Sequence, residues 1–164
     1  MILRIATGRL PTLRDARSLL AIATGAAPTR AKPRHLEAVE QRLFVTRVRL
    51  DPRTRDLLFC AVPNGGKRGA RTAALLKAEG VERGVPDLLF FKRSAGLRAG
   101  PHTPPWYIGL AIELKSPTGT GRVSPAQRRW HEGLRDNGWR VAIVTSAEDA
   151  WAILDFHLAL PVPS

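Results

Sequence analysis

Apolar residues recur along the chain with two different periods, and the change of period separates predicted helices from predicted strands. Spacings of three or four residues predict four helices, at residues 35–47, 70–79, 124–137 and 147–156. Compact apolar runs bounded by turn-forming residues predict four strands, at residues 57–62, 88–91, 107–115 and 140–145. Strands interleaved with helices in this order imply an α/β fold, a small mixed sheet with helices on both faces.

The length of the chain and the composition of its first residues set the expected domain organisation. A chain of 164 residues is long enough for one compact domain and too short for two ordinary ones. Residues 1–34 carry seven Lys or Arg, one acid and three prolines, which is typical of a basic extension that is helical only near residues 12–23. We therefore predict a basic N-terminal extension at 1–34, an ordered domain at 35–158 and a C-terminal tail at 159–164.

The cysteine content and the length of the apolar runs bear on the cellular compartment. Cys60 is the single cysteine and lies within an apolar run, so a buried and unreactive thiol in a reducing cytoplasm is expected. No apolar stretch of the sequence approaches the roughly 20 residues that span a bilayer, so a membrane is not expected among the partners.

The charge of the chain indicates what kind of partner the protein binds. Twenty-six Lys and Arg residues against fourteen Asp and Glu give a net charge of +12. A positive field of this size favours a polyanionic partner, because contacts with phosphates release condensed counterions. Nucleic acid is the expected partner, although charge alone does not separate a protein that cuts it from one that binds it.

Candidate chemistry is concentrated on two of the predicted strands. In Ile112-Glu113-Leu114-Lys115, strand alternation sends Glu113 and Lys115 to the same face of an otherwise apolar strand. Asp87 follows a proline at the head of the strand 88–91. If the two strands pair, Asp87 and Glu113 converge on a divalent ion, since Mg²⁺ prefers oxygen ligands. Lys115 could then orient the attacking water and stabilise charge in the transition state.

These residues, with the short motifs around them, resemble the VRR-NUC family of PD-(D/E)XK nucleases over residues from about 35 to 154. The motifs follow the order of the family, as Pro63-Asn64-Gly65-Gly66, Leu76-Lys77-Ala78-Glu79-Gly80-Val81, Gly84-Val85-Pro86-Asp87, Glu113-Leu114-Lys115-Ser116 and Ser124-Pro125-Ala126-Gln127. The resemblance implies a restriction-endonuclease-like fold, dependence on Mg²⁺ or Mn²⁺ and hydrolysis of DNA phosphodiester bonds. Stand-alone members, often bacterial or phage proteins, resemble Holliday junction resolvases and tend to form homodimers, which implies branched DNA as the substrate.

The resemblance also implies roles for individual residues. Asp87 and Glu113 correspond to metal ligands, and Lys115 to the catalytic lysine. The family has a further glutamate in its first helix, where both Glu37 and Glu40 qualify because they lie three residues apart on one helical face. We slightly favour Glu40 as the third metal ligand and keep Glu37 as the alternative. Gln127 matches a glutamine of the family that would orient the site or contact a phosphate.

Basic residues outside this core are candidates for contacts with the DNA backbone. One group lies in a turn and the helix that follows it and comprises Asn64, Lys67, Arg68, Arg71 and Lys77. The other group lies around the start of the helix 124–137 and comprises Arg122, Arg128 and Arg129. The four histidines show no ligand spacing of the kind H-E-x-x-H, so a histidine-bound metal is not expected. The loop 92–105 lengthens the interval between Asp87 and Glu113 relative to the family and is expected to affect substrate access.

Two other functions stay open at the level of sequence. One is a nucleic-acid-binding module that has kept the fold and lost the activity, although all three core residues are present. The other is a nuclease acting on flap DNA or on RNA, which nothing in the sequence separates from a nuclease of branched DNA.

Overall fold

A computed structural model describes residues 36–62, 70–96, 106–116 and 121–162, with the side chains of residues 70, 71 and 73 outside the description. The basic N-terminal extension, the turn at 63–69 and the middle of the loop 92–105 therefore lie wholly or partly outside it. The helices are α1 (Leu36–Leu50), α2 (Ala70–Ala78), α3 (Pro125–Asp136) and α4 (Ala147–Ala159). The strands are β1 (Phe59–Ala61), β2 (Leu88–Phe90), β3 (Ser94–Ala95), β4 (Trp106–Tyr107), β5 (Gly109–Leu114) and β6 (Trp139–Val144).

The main sheet has four strands in the order β1-β2-β5-β6. Strand β2 pairs antiparallel with both β1 and β5, whereas β5 and β6 are parallel, so the sheet is mixed as predicted. All six residues of β5 are buried, because this central strand is covered on both faces. Its carboxyl end and the start of β2 meet at one edge of the sheet, and Asp87, Glu113 and Lys115 all lie there.

The two faces of the sheet have different coverings. Ile112 and Leu114 of β5 point to the hydrophobic core, which also contains Phe44 of α1 and Leu154 of α4. Removing such a side chain from water contributes about 1.5–3 kcal/mol, so burial on this face stabilises the domain. The opposite face carries Glu113 and is covered by α3, which packs along β6. The predicted sheet with helices on both faces is confirmed.

Helix α3 begins where the sequence predicts, and its first turn is held by a capping box. The hydroxyl of Ser124 accepts from the backbone N–H of Gln127, and the side chain of Gln127 accepts from the backbone N–H of Ser124. Pro125 occupies the first helical turn, where its missing N–H is not needed. The helix ends at Asp136, and Gly138 follows with a φ of 79°, a conformation that favours glycine.

Strand β1 departs from the prediction that residues 57–62 form a buried strand. It is an edge strand, Leu58 is 72% exposed beside it, and the thiol of Cys60 is exposed rather than buried. An apolar run predicts a strand but does not tell a central strand from an edge strand. The expectations of a buried strand and of an inert buried thiol are therefore wrong.

Strand β3 lies in the loop predicted at 92–105 and forms a second, two-stranded sheet with β4, which follows that loop. Strands β3 and β4 pair antiparallel, and the chain bends at Ile108 before β5, which splits the strand predicted at 107–115. The imidazole of His157 lies between the backbone oxygen of Lys92, at 2.7 Å from Nε2, and the hydroxyl of Ser94, at 3.0 Å from Nδ1. This hairpin stem joins the end of β2 to the start of β5, so it lies at the end of the main sheet away from Asp87. The expected effect of the loop on substrate access stays a prediction, because residues 97–105 lie outside the described residues.

In the described part of the chain, no helix is both long enough and apolar enough to cross a membrane.

Candidate active site

Glu113 and Lys115 form a buried ion pair at the carboxyl end of β5. Because they lie two residues apart on a strand, their side chains share one face, as the alternation predicts. The ammonium Nζ of Lys115 donates to Oε1 of Glu113 at 2.7 Å, and Glu113 is only 1% exposed. A buried charge pair of this kind is costly to form, and two charges kept out of water at a sheet edge are typical of a functional site.

Asp87 lies beside this pair because β2 and β5 are neighbours. Its Oδ2 accepts from the backbone N–H of Leu114 at 2.8 Å, which fixes the carboxylate against the end of β5. Its own backbone oxygen accepts from the N–H of Val62 at 2.9 Å, so the segment that leaves β1 also lies at this edge of the sheet. The pairing of the strands therefore brings Asp87, Glu113 and Lys115 together.

Gln127 connects α3 to the ion pair. Its Oε1, which completes the capping box, also accepts from Nζ of Lys115 at 3.1 Å, and its Nε2 donates to Oε1 of Glu113. One side chain thus fixes the start of the helix and the position of the lysine ammonium. Of the two roles considered for Gln127 from the sequence, the geometry favours orienting the site over contacting a phosphate.

The turn that carries Asp87 packs directly on the start of α3. Gly84 has a φ of 88°, and a Cβ built on it would lie 2.5 Å from the backbone carbonyl carbon of Ala126 and 2.7 Å from the backbone nitrogen of Gln127. Glycine is required here for both reasons, since it alone combines this backbone conformation with so close an approach. The packing couples the positions of Asp87 and Gln127.

The electrostatics of the site are dominated by its acids. Burial raises the pKa of Glu113 to about 7; the hydrogen bond from Lys115 opposes this rise, and the neighbouring charges of Asp87 and Glu37 add to it. At neutral pH the carboxyl therefore lies close to its own titration point, since burial disfavours a charge that Lys115 compensates only in part. A further positive charge at this position would stabilise the ionised form.

The structure separates the two candidate glutamates of the first helix. Oε2 of Glu40 accepts from the backbone N–H of Ala147 at 2.8 Å, so this carboxylate caps the start of α4. Glu37 interacts with the charges of the site instead: burial raises its pKa, the negative charge of Asp87 adds to the rise, and Lys115 opposes it. We therefore transfer the candidate role of third metal ligand from Glu40 to Glu37.

His131 is a residue of the site that no sequence motif indicated. Its imidazole is buried, and Nε2 lies 3.8 Å from Oε2 of Glu113. Burial lowers its pKa, and the charges of Arg135 and Lys115 lower it further, whereas those of Asp87 and Glu132 oppose the shift. The signal in the sequence is its position four residues after Gln127, on the same face of α3, rather than any spacing between histidines.

The side chains at this edge fit a divalent cation. Oε2 of Glu113 is buried and has no hydrogen-bond partner within the described ranges, which leaves a carboxylate oxygen in need of a positive group. Across these ranges, no three His, Cys, Asp or Glu side chains converge closely enough to form a metal cage on their own. Mg²⁺ does not require such a cage, because it commonly binds one or two carboxylates and completes its shell with water and substrate oxygens.

The candidate DNA-binding residues are only partly described. Asn64, Lys67 and Arg68 lie outside the described residues, as does the side chain of Arg71. The exposed side chains are those of Lys77 in the last turn of α2 and of Arg122, Arg128 and Arg129 at the start of α3. Arg122 follows Gly121, which packs against Lys115, and Arg128 donates to the backbone oxygen of Val123 at 2.9 Å.

Comparisons with known proteins agree with this architecture. A family model described as the VRR-NUC domain matches residues 35–148. Among solved structures, one described as a VRR-NUC domain protein is similar to this chain with a TM-score of 0.61 and 20% sequence identity, covering 77% of this chain and 91% of that one. At this identity the likeness shows the fold alone. A comparison with curated proteins gave no match.

Proposed function

Because the chain belongs to the VRR-NUC family, which is a nuclease-type family, we propose that it hydrolyses phosphodiester bonds of DNA with the help of a bound Mg²⁺ or Mn²⁺ ion. The observation that carries this proposal is the buried group of Asp87, Glu113 and Lys115 at one edge of the sheet, where a carboxylate oxygen of Glu113 has no partner within the described ranges.

Asp87 and Glu113 would hold the ion, and Glu37 would add a third negative charge near them. The bound ion would supply Lewis-acid polarisation of the scissile phosphate and a lowered pKa for a coordinated water. The orphaned oxygen of Glu113 and the repulsion among the three acids support this assignment, since a cation relieves both.

Lys115 would act on the attacking water and on the charge of the phosphate. An ammonium group has three N–H donors, and the bonds to Glu113 and Gln127 use two of them. These bonds aim the group and leave one donor for a water or a phosphate oxygen. A pre-oriented donor in a site shielded from solvent stabilises developing negative charge more than the same donor does in water.

The net charge of +12 and the exposed arginines at the start of α3 support DNA as the partner. The resemblance to junction resolvases extends the proposal to branched DNA recognised by its shape and to a homodimer, in which two sites cut two strands. The protein would act in the cytoplasm of a bacterial cell.

The decisive experiment measures cleavage of a labelled four-way junction, a flap, plain duplex, single-stranded DNA and RNA with Mg²⁺, Mn²⁺ or EDTA. We expect metal-dependent cleavage of the junction by the wild type and its loss in Asp87→Asn and Lys115→Ala. Both variants should still bind DNA, because neither removes an exposed cationic side chain. The exposed substitution Glu132→Gln is the matched control and should cleave normally.

Cleavage that persists in EDTA, or in the Asp87→Asn variant, would contradict the assignment of the site. Binding without cleavage under every metal would favour a module that has lost its activity. Preference for a flap or for RNA would leave the proposed metal-dependent hydrolysis in place and change only the proposed substrate. Light scattering with and without the junction would measure whether the protein is a homodimer.

A further inference from the structure

His131 occupies a position that the proposed chemistry does not use. Its ring projects from α3 between the helix and the face of the sheet that carries Glu113, and its side chain is only 3% exposed. Gln127 lies one helical turn earlier, so both side chains reach the same carboxylate from one face of the helix.

The two carboxylate oxygens of Glu113 have different surroundings. Oε1 accepts from Lys115 and from Gln127, whereas Oε2 has no hydrogen-bond partner within the described ranges. Nε2 of His131 also lacks a partner among those residues, and it faces Oε2 at 3.8 Å. Two buried polar atoms left unpaired so close together cost free energy that a small closing movement would recover.

A carboxylate offers about four lone-pair directions, two on each oxygen. Lys115 and Gln127 use those of Oε1, so both directions of Oε2 are left for other donors or positive groups. Carboxylates that bind metal ions are commonly oriented by a hydrogen bond from an outer residue, and loss of that bond weakens metal affinity.

We propose that His131 is a positioning residue for Glu113, in which the imidazole donates its Nε2–H to Oε2 and fixes the plane of the carboxylate for metal binding. The inference rests on the proposed function, since orienting the carboxylate of Glu113 matters only if Glu113 binds a cation. In this role His131 acts through Glu113 and is not itself a ligand of the ion.

The first test uses the wild-type protein. Nitrogen-15 spectra of its histidine rings, recorded with and without Mg²⁺, report which ring nitrogen carries the proton. We expect His131 to carry it on Nε2 in the Mg²⁺-bound protein. A proton on Nδ1 with a bare Nε2 would overturn the proposal, because Nε2 would then have nothing to donate to Glu113.

The second test compares His131→Gln with His131→Met, two side chains of similar length that differ in the amide donor. Calorimetric titration with Mn²⁺ should show an affinity about 10- to 100-fold weaker for the methionine variant and an affinity close to that of the wild type for the glutamine variant. The Mn²⁺ concentration for half-maximal cleavage should rise in the same proportion, while the rate at saturating Mn²⁺ stays near that of the wild type.

The outcomes separate this inference from the proposed function. A wild type that neither binds Mn²⁺ nor cleaves DNA would refute the proposed function itself. A wild type that does both, with a methionine variant of equal Mn²⁺ affinity, would refute only the role of His131. Equal weakening in both variants would also refute it, because the donor would then be irrelevant.

Discussion

At the scale of single residues, Glu113 links the stability of the domain to pH. Its pKa rises from 4.5 to about 7 on folding, so the folded state holds the proton more tightly than the unfolded chain does. The protonated carboxyl therefore stabilises the fold fully below about pH 4.5, and this contribution is lost as the pH rises through 7. In a metal-free protein, ionisation of Glu113 therefore lowers the free energy of unfolding.

Glu113→Gln should remove that dependence, because glutamine resembles the protonated carboxyl at every pH. In EDTA, we expect the unfolding free energy of the variant relative to the wild type to rise by about 2–3 kcal/mol between pH 5 and pH 8. Urea unfolding at the two pH values measures it, with Glu132→Gln on the exposed face of α3 as the control. A relative stability that does not change with pH would contradict the assigned origin of the shift.

The two glutamates of α1 make a second comparison between single residues. Glu37→Gln should lower metal-dependent cleavage more than tenfold, because it removes a carboxylate whose charge interacts with those of Asp87 and Lys115. Glu40→Gln should have a much smaller effect, since a glutamine oxygen can still accept from the N–H of Ala147. Cleavage rates at a fixed Mn²⁺ concentration decide between them, and a larger loss in the Glu40 variant would return the role of third ligand to Glu40.

The sequence identified the central residues of this site but not all of its members. Asp87, Glu113 and Lys115 carry a recognisable spacing on strands. Glu37 and Glu40 occupy one helical face, and only the packing of α1 against α4 decides which carboxylate is used as a cap. His131 belongs to the site through its helical position relative to Gln127, a relation that no motif for histidine ligands contains.

At the scale of elements, the residues at the start of α3 both cap the helix and hold Lys115 in place. Its capping box uses the side chain of Gln127, which also holds Lys115, and the turn at Gly84 packs on the same backbone. A displacement of the helix start therefore displaces the lysine.

Gly84→Ala tests this coupling against Gly80→Ala. Both glycines have a positive φ, 88° and 90°, but a Cβ at Gly80 meets no atom within 4 Å. Gly80→Ala should cost about 1–2 kcal/mol from backbone strain alone and leave the cleavage rate unchanged. Gly84→Ala should cost more, because its Cβ collides with the backbone of α3, and it should also lower cleavage at a temperature where the variant remains folded.

Equal stability and equal cleavage in the two variants would mean that the approach of Gly84 to α3 does not matter. Thermal unfolding and cleavage assays measured side by side provide the comparison.

Most elements follow from the sequence because their signals are local. The serine cap, the proline and the apolar spacing place α3 closely, and the turn residues place β2 and β5. The hairpin of β3 and β4 was not predicted because strands of two residues have no periodicity. The exposure of Cys60 was missed because the position of a strand within a sheet depends on its partners.

At the scale of the whole molecule, the arrangement of positive charge predicts how DNA binding responds to salt. Arg128→Gln with Arg129→Gln should weaken DNA affinity and reduce the slope of log affinity against log salt by about one for each phosphate that is no longer neutralised. Arg55→Gln with Arg93→Gln removes the same charge at the far end of the sheet and serves as the matched control. Equal slopes for the two double variants would contradict a binding surface around α3.

The hairpin stem of β3 and β4 lies at the far end of β5, about 20 Å from Lys115 for a strand of six residues. Chain length can therefore vary there without disturbing the acids at the other end. A fluorophore or a peptide tag placed in this hairpin would report the position of the protein, without competing for the surface around α3 that is proposed to bind DNA.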